Sequence, residues 1–239
     1  LVSEVMLQQT QVARVIPKYR EFIQRFPTVQ ALDKAPLGRV LAVWQGMGYN
    51  RRALYLKRLA SAVAGEYGGR IPAAPVLLRR LPGIGSATAG AVAAFAFGLR
   101  APFIETNIRR VYLHYFFPRC RNIGEREILR KIAATMPQKN IREWYYALMD
   151  YGAAALKGIL NPNRRAKIYS RQPPFAGSKR ELRGQILAAV IRGGTLPFPA
   201  LENLLQSKQK SQHSIRSAIR KLAREGLVVE RAGRIAIPR

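Results

Sequence analysis

Apolar residues recur at helical spacing along most of the chain. Between Ser3 and Phe26 they fall at Val5, Met6, Val12, Val15, Ile16, Tyr19, Phe22, Ile23 and Phe26. This is the stripe of an amphipathic helix, with a break expected at Pro17. The segment Pro36 to Gly48 opens on Pro and closes on Gly, the usual punctuation of a helix. NRRALYLKRLASAVAGEYGG reads as a basic amphipathic helix ended by Gly68-Gly69, and PAAPVLLRRLPGIG as a short helix running into a turn. EREILRKIAATMP and IREWYYALMDYGAAALK predict two more helices. Strand-like alternation appears only in LVVERAGRIAI, which predicts two short strands around Ala232-Gly233. The expected class is mainly α.

The pattern changes character near YSRQPPFAGSKR, where Pro173-Pro174 and Gly177 mark a linker over 173–177. Beyond it, ELRGQILAAVIRGG, FPALENLLQ and SQHSIRSAIRKLAREG predict three helices before the β-ribbon. Three helices and a ribbon are the order of a winged helix, placed at 178–239. Residues 1–172 form the larger domain.

One short stretch carries candidate chemistry. In RLPGIGSATAGAVAAFAFG, a Pro-Gly-x-Gly turn opens a helix of small residues. Gly83 and Gly85 can adopt φ > 0 and let another molecule approach the backbone. Ser86 is the expected N-cap, and the N–H groups of such a helix end attract phosphate. A plain helix–turn–helix corner is the competing reading, and composition bears on the choice. The 239 residues hold 41 Lys and Arg against 13 Asp and Glu, a formal charge of +28. That excess calls for a polyanion, nucleic acid first, with a ribosomal or membrane-surface protein as competitor. The single cysteine, Cys120, excludes a disulfide framework or a multi-cysteine metal site within the chain, and His114 and His213 are isolated. No apolar run is long enough to span a bilayer, and no signal peptide is visible. The chain starts at Leu1 inside a helical pattern, so a preceding segment is expected.

The order of these motifs resembles the helix–hairpin–helix DNA glycosylase superfamily, in particular its branch of A/G-mismatch adenine glycosylases. SEVMLQQTQVARVIPKY, WQGMGYNRRALYL, LPGIGSATAGAVAAFAFG, APFIETNIRRV and ALMDYGA follow one another as that branch's motifs do, over roughly residues 1–155. The resemblance implies a helix–hairpin–helix glycosylase core, here with a C-terminal winged-helix domain. It implies a monofunctional enzyme that extrudes a mismatched or damaged base, adenine first, from duplex DNA and hydrolyses its glycosidic bond. A monomer at the nucleoid, in the cytoplasm, is the expected setting.

By the same resemblance Glu4 protonates the departing base. Glu105 stands where the family has its catalytic aspartate, with Asn107 beside it. Removing a purine needs one acid kept protonated and one kept ionised near the oxocarbenium-like sugar. The plainer readings are a solvated helix residue for Glu4 and a helix-start acid for Glu105. Gln9 and Tyr49 match positions that fill the gap left by the base, although Tyr49 also suits a core. Arg51, Arg52, Lys57 and Arg58 are candidates for a phosphate track or for a solvated face. Leu81, Gly83, Gly85, Ser86 and Ala87 form the hairpin expected on the DNA strand. In the tail, His213, Arg216, Arg220 and Lys221 suit a recognition helix or a protein partner.

The chain also departs from the family. Glu105 is one methylene longer than Asp, about 1.5 Å. Ala87 replaces the lysine nucleophile of bifunctional relatives, and Tyr146 replaces a glutamine that helps hold adenine. LKGILNPNRRAKIYSRQ replaces the four cysteines of an iron–sulfur loop, so no cofactor is expected, and Arg164, Arg165 and Lys167 become candidates for phosphate contacts there. A catalytically silent DNA-binding protein on the same scaffold is the alternative.

Overall fold

The computed structural model describes residues 1–170, 174–206 and 212–238. Pro173, where the expected linker begins, lies outside them, as does Arg239. The helices are α1 (Val2–Leu7), α2 (Val12–Arg25), α3 (Val29–Lys34), α4 (Leu37–Val43), α5 (Arg51–Glu66), α6 (Pro75–Leu78), α7 (Ser86–Phe97), α8 (Thr106–Tyr115), α9 (Glu125–Thr135), α10 (Ile141–Ala154), α11 (Lys179–Gly193), α12 (Phe198–Gln206) and α13 (Gln212–Arg224). A 3-10 turn spans Pro162–Arg165, and the strands are β1 (Leu196–Pro197), β2 (Val229–Arg231) and β3 (Arg234–Ala236). The chain is mainly helical, as its periodicity predicts.

It divides into two compact units. One holds Leu1 and Pro72–Gln172, the other Val2–Ile71 and Pro173–Arg239. The core of the first gathers Phe103, Ile104, Ile108, Tyr112, Leu113, Ile128, Ile132, Ile141 and Tyr145 from α8, α9, α10 and the segment before α8. The core of the second is built on Met6, Phe22, Leu41, Trp44, Leu56 and Val63, with Ile186, Leu201, Ile215, Leu222 and Ile235 buried in its C-terminal part.

The C-terminal elements run helix–strand–helix–helix–strand–strand. Their three strands pair antiparallel as β1-β3-β2. Ala232 and Gly233, at φ 49° and 68°, make the tight turn between β2 and β3, which suits the twist of a two-residue hairpin. Ser178 caps α11 by accepting from the N–H of Glu181 at 3.3 Å, and Glu181 reaches back to the Gly177 N–H at 2.6 Å. This is a capping box displaced by one residue.

Two expectations need correction. The first helical stretch breaks at 8–11, not at Pro17, which lies within α2. Gln9 turns the chain there with φ 53°, and Pro17, in the second turn of α2, is accommodated. The N-cap of α7 is Gly85, and Ser86 is its first helical residue.

Candidate active site

In the first unit the site is the start of α8. Glu105 is its N-cap, in extended conformation, and its Oε1 accepts from the N–H of Asn107 at 2.6 Å and of Ile108 at 2.7 Å. The approach to Glu105 is pinned. Tyr145 donates its hydroxyl to the Ala101 carbonyl at 3.0 Å and accepts from the Phe103 N–H at 3.2 Å. Burial holds that phenol well above its ordinary range, so it remains neutral. Burial also raises the Glu105 carboxyl, opposed by the Ile108 and Asn107 N–H bonds and by the Arg109 charge. Desolvation disfavours the anion while the helix start favours it.

Close backbone approaches set the position of this turn. A Cβ on Gly152 of α10 would lie 2.3 Å from the Asn107 carbonyl oxygen, and one on Gly90 of α7 would lie 2.7 Å from Phe103 Cβ. Arg110 adds a bond to the Gly152 carbonyl at 2.7 Å. Asn163, buried on the 3-10 turn, donates to the Thr106 carbonyl at 3.1 Å. The sequence singled out neither Gly152 nor Asn163. A glycine inside a helix costs about 1 kcal/mol against alanine and so signals a packing reason. Asn163 sits in a polar loop sequence with no comparable signal.

The hairpin leads into the first turn of α7. Gly83 has φ 79°, whereas Gly85 is extended at φ −82°. Gly83, Gly85, Ser86 and Ala87 are exposed, and the N-cap residue Gly85 has no side chain to occupy this end of α7. Their backbone is therefore accessible to an anion. Leu81, grouped with them from the sequence, is a core residue at 3% exposure, so its side chain makes no outward contact. Of the basic residues after α10, Arg164 and Lys167 are exposed, while Arg165 donates to the Pro118 carbonyl. Tyr146 is exposed and stacks on Phe95 with centroids 5.0 Å apart.

In the second unit Glu4 lies half-buried on α1. Nearby, Arg52 is the centre of a buried network. Its guanidinium donates to the carbonyls of Val5 (2.9 Å), Met6 (2.8 Å), Gln8 (2.6 Å), Met47 (3.2 Å) and Gly48 (3.3 Å), and to Thr10 Oγ1 (3.0 Å). Burial pulls its pKa down to about 10, which leaves it charged at neutral pH. The sequence offers Arg52 for a phosphate track or a solvated face; at 7% exposure it takes neither place and is internal.

Arg52 ties together two loops, each containing a non-glycine residue in the left-handed region: Gln9 at φ 53° and Tyr49 at φ 46°. Such backbone persists only where its surroundings enforce it. Both residues are exposed. Tyr49 has the Arg52 guanidinium 5.5 Å and the Arg180 guanidinium 6.0 Å from its ring centroid, and its hydroxyl accepts from Arg180 at 2.9 Å. Arg51 is exposed and bonds Tyr55, whereas Lys57 donates to the Asp33 carbonyl at 2.6 Å.

On α13, Ile215, Ile219 and Leu222 face inward, and His213, Arg216, Arg220, Lys221 and Arg224 are exposed. Arg216 stacks over the Phe198 ring at 4.0 Å, so an aromatic plane orients its guanidinium. Arg220, Lys221 and Arg224 line a shallow basic depression with Ser217 and Glu225.

The resemblance raises the question of an iron–sulfur cluster, and the donor set does not fit one. Cys120, the chain's one cysteine, is exposed, and no group of three or more His, Cys, Asp or Glu side chains gathers among the described residues.

Residues 2–138 match the family described as HhH-GPD superfamily base excision DNA repair protein. The adenine DNA glycosylase of Mycolicibacterium smegmatis is 35% identical over 213 residues, covering 82% of this chain and 72% of the relative. That of Buchnera aphidicola subsp. Baizongia pistaciae is 38% identical over 153 residues, covering 64% of this chain and 44% of the relative. The chain thus spans less than half of the Buchnera protein's length. The solved structure of a thermostable thymine-DNA glycosylase matches with a TM-score of 0.59 and 28% identity, over 64% of this chain and 72% of that one.

Proposed function

Because the chain belongs to the HhH-GPD superfamily of base excision DNA repair proteins, we propose that it is a monofunctional DNA glycosylase that removes adenine from mismatched or damaged duplex DNA. The observation that carries this reading is the Glu105 carboxylate, half-buried at the start of α8 and held by two backbone N–H groups. Ionised, it offsets the positive charge that develops on the sugar as the base departs. Glu4 supplies the proton to the base. The hairpin backbone at Gly83–Ala87 holds a phosphate, and Gln9 and Tyr49 occupy the gap left by the extruded base. Arg220, Lys221 and Arg224 of α13 hold duplex in the manner of a winged helix, without reading the lesion. Ala87 offers no amine, so no Schiff-base step follows hydrolysis. The protein acts as a monomer, without a cluster, at the chromosome.

The test is single-turnover excision on a panel of mismatched and damaged duplexes. Glu105→Gln keeps the shape and removes the charge; it is expected to abolish excision with duplex affinity retained. One observation favours a second reading. The Glu105 carboxylate is turned onto its own helix, as a cap would be. If wild type, Glu105→Gln and Glu105→Asp in the complete protein are equally inactive on every duplex, the silent DNA-binding reading takes its place.

A further inference from the structure

The 3-10 turn Pro162–Arg165 has a fixed place that its sequence does not announce. Pro162 and Asn163 are buried in a stretch otherwise rich in exposed cations, and Asn163 is 5% exposed. Burying an amide side chain is costly unless its groups are bonded. Asn163 is only half satisfied: Nδ2 donates to the Thr106 carbonyl at 3.1 Å, while Oδ1 is buried without a hydrogen-bond partner. An apolar residue would leave no orphaned oxygen. The polar side chain at this position makes one bond, to the Thr106 carbonyl.

That bond ends between the two residues that matter most in this unit. Thr106 lies between Glu105 and Asn107, and the N–H groups of Asn107 and Ile108 hold the Glu105 carboxylate. The turn is itself anchored. Asn161 Oδ1 accepts from the Asn163 N–H at 3.1 Å. The Ile123 N–H donates to the Arg165 carbonyl at 3.0 Å, and the Lys167 N–H to the Ile123 carbonyl at 2.9 Å. Arg165 also donates to the Pro118 carbonyl. A carbonyl oxygen has two lone pairs, so a side-chain donor can hold a carbonyl of a helix's first turn beside the helix's own ladder.

We propose that Asn163 is a positioning residue for Glu105: through the Thr106 carbonyl it fixes the first turn of α8 and with it the two amides that aim the carboxylate. The proposal rests on the reading of Glu105 as the reacting carboxylate and deepens it. The segment in which the sequence resemblance would place cluster ligands contributes a side-chain hydrogen bond to the reacting group's own turn.

Asn163→Ala and Asn163→Leu in the full chain test this. Leu keeps the branching at Cγ, has no donor and adds no charge, so it remains informative if the smaller side chain unfolds the turn. Backbone amide exchange at Asn107 and Ile108 is read alongside single-turnover excision and duplex Kd. Exchange at those two amides should accelerate by about fivefold to tenfold while α10 amides stay protected. Excision should fall about ten- to a hundredfold at unchanged Kd. Wild-type exchange at Asn107 and Ile108 in a folded Asn163→Leu protein overturns the proposal, whatever the enzyme does. Exchange that rises uniformly through the unit overturns it too, since the residue would then be merely structural. If exchange rises at the two amides but the wild type excises no base from any duplex, the positioning role is upheld and the glycosylase reading falls.

Discussion

Gly152→Ala is a one-carbon test of how closely the site is set. The added Cβ would meet the Asn107 carbonyl oxygen at 2.3 Å, its carbon at 2.8 Å and Asn107 Cα at 3.0 Å, all backbone atoms. Ordinary contact begins at 3.4 Å, so α8 and α10 must part by about 1 Å at this point. Overpacking of this kind costs about 1–3 kcal/mol, and the better helix propensity of alanine returns about 1 kcal/mol. The net loss of stability is therefore small, about 0–2 kcal/mol. The loss of function is expected to be much larger. The parting acts on the residue whose N–H holds Glu105, and a misplacement of about 1 Å costs about a hundredfold in rate. Thermal melting and single-turnover excision on the same preparation separate the two effects. A folded Gly152→Ala protein that excises within about threefold of wild type would refute the argument that the α8–α10 approach sets the carboxylate.

Arg52→Met should lower stability by at least about 3 kcal/mol, since a charged donor serving six acceptors is lost and the exposed Gln9 and Tyr49 lose their enforced backbone; chemical denaturation reads this directly. The raised Glu105 pKa fixes the sign of a pH effect. Its carboxyl is costlier to ionise in the fold than at its ordinary value of 4.5, so its contribution is fully present below that value and is lost as pH rises through the raised one. The melting temperature of Glu105→Gln should accordingly exceed that of wild type at neutral pH, with the gap closing below the ordinary carboxylate range, while wild-type excision should fall as pH drops through the raised value. Duplex affinity should drop steeply with salt, at a log–log slope of about −0.9 per phosphate contact. A flat response to salt would remove nucleic acid as the partner of the +28 charge.

The sequence shows most of the helices because each buries one face. The stripes of α5, α9 and α10 repeat at helical spacing and survive into the fold. β1 was invisible, being two residues, Leu196 and Pro197, that become a strand only by pairing with β3. The inward role of Arg52 was missed although its signal was present. Residues 52, 56, 59 and 63 form one stripe of α5, and the last three are buried Leu56, Leu59 and Val63. An arginine on an apolar stripe is a candidate for a buried hub, whereas Arg51 and Arg58 lie off it. That Glu105 opens α8 and that the chain turns at Gly83 before α7 were legible because the local sequence carries both. Asn163 was not, since its burial depends on the distant backbone of Ile123 and Thr106.

The division of the chain has a consequence for how it is made. Residues 72–172 form a continuous unit that can close on itself soon after it leaves the ribosome. Residues 2–71 are made before it, yet they share their unit with 173–239. Helices α1 to α5 pack mainly on one another, but the part of this segment that meets α11 and the region around Tyr49 stays uncovered until 173–239 has been added. Tyr49, for example, gains its bond from Arg180 only after 131 further residues have been added. Contacts of such sequence separation are slow to form and leave apolar surface uncovered meanwhile. A released fragment ending at residue 172 should accordingly hold a protease-resistant 72–172 region next to a 2–71 stretch that is cut faster than in the whole chain.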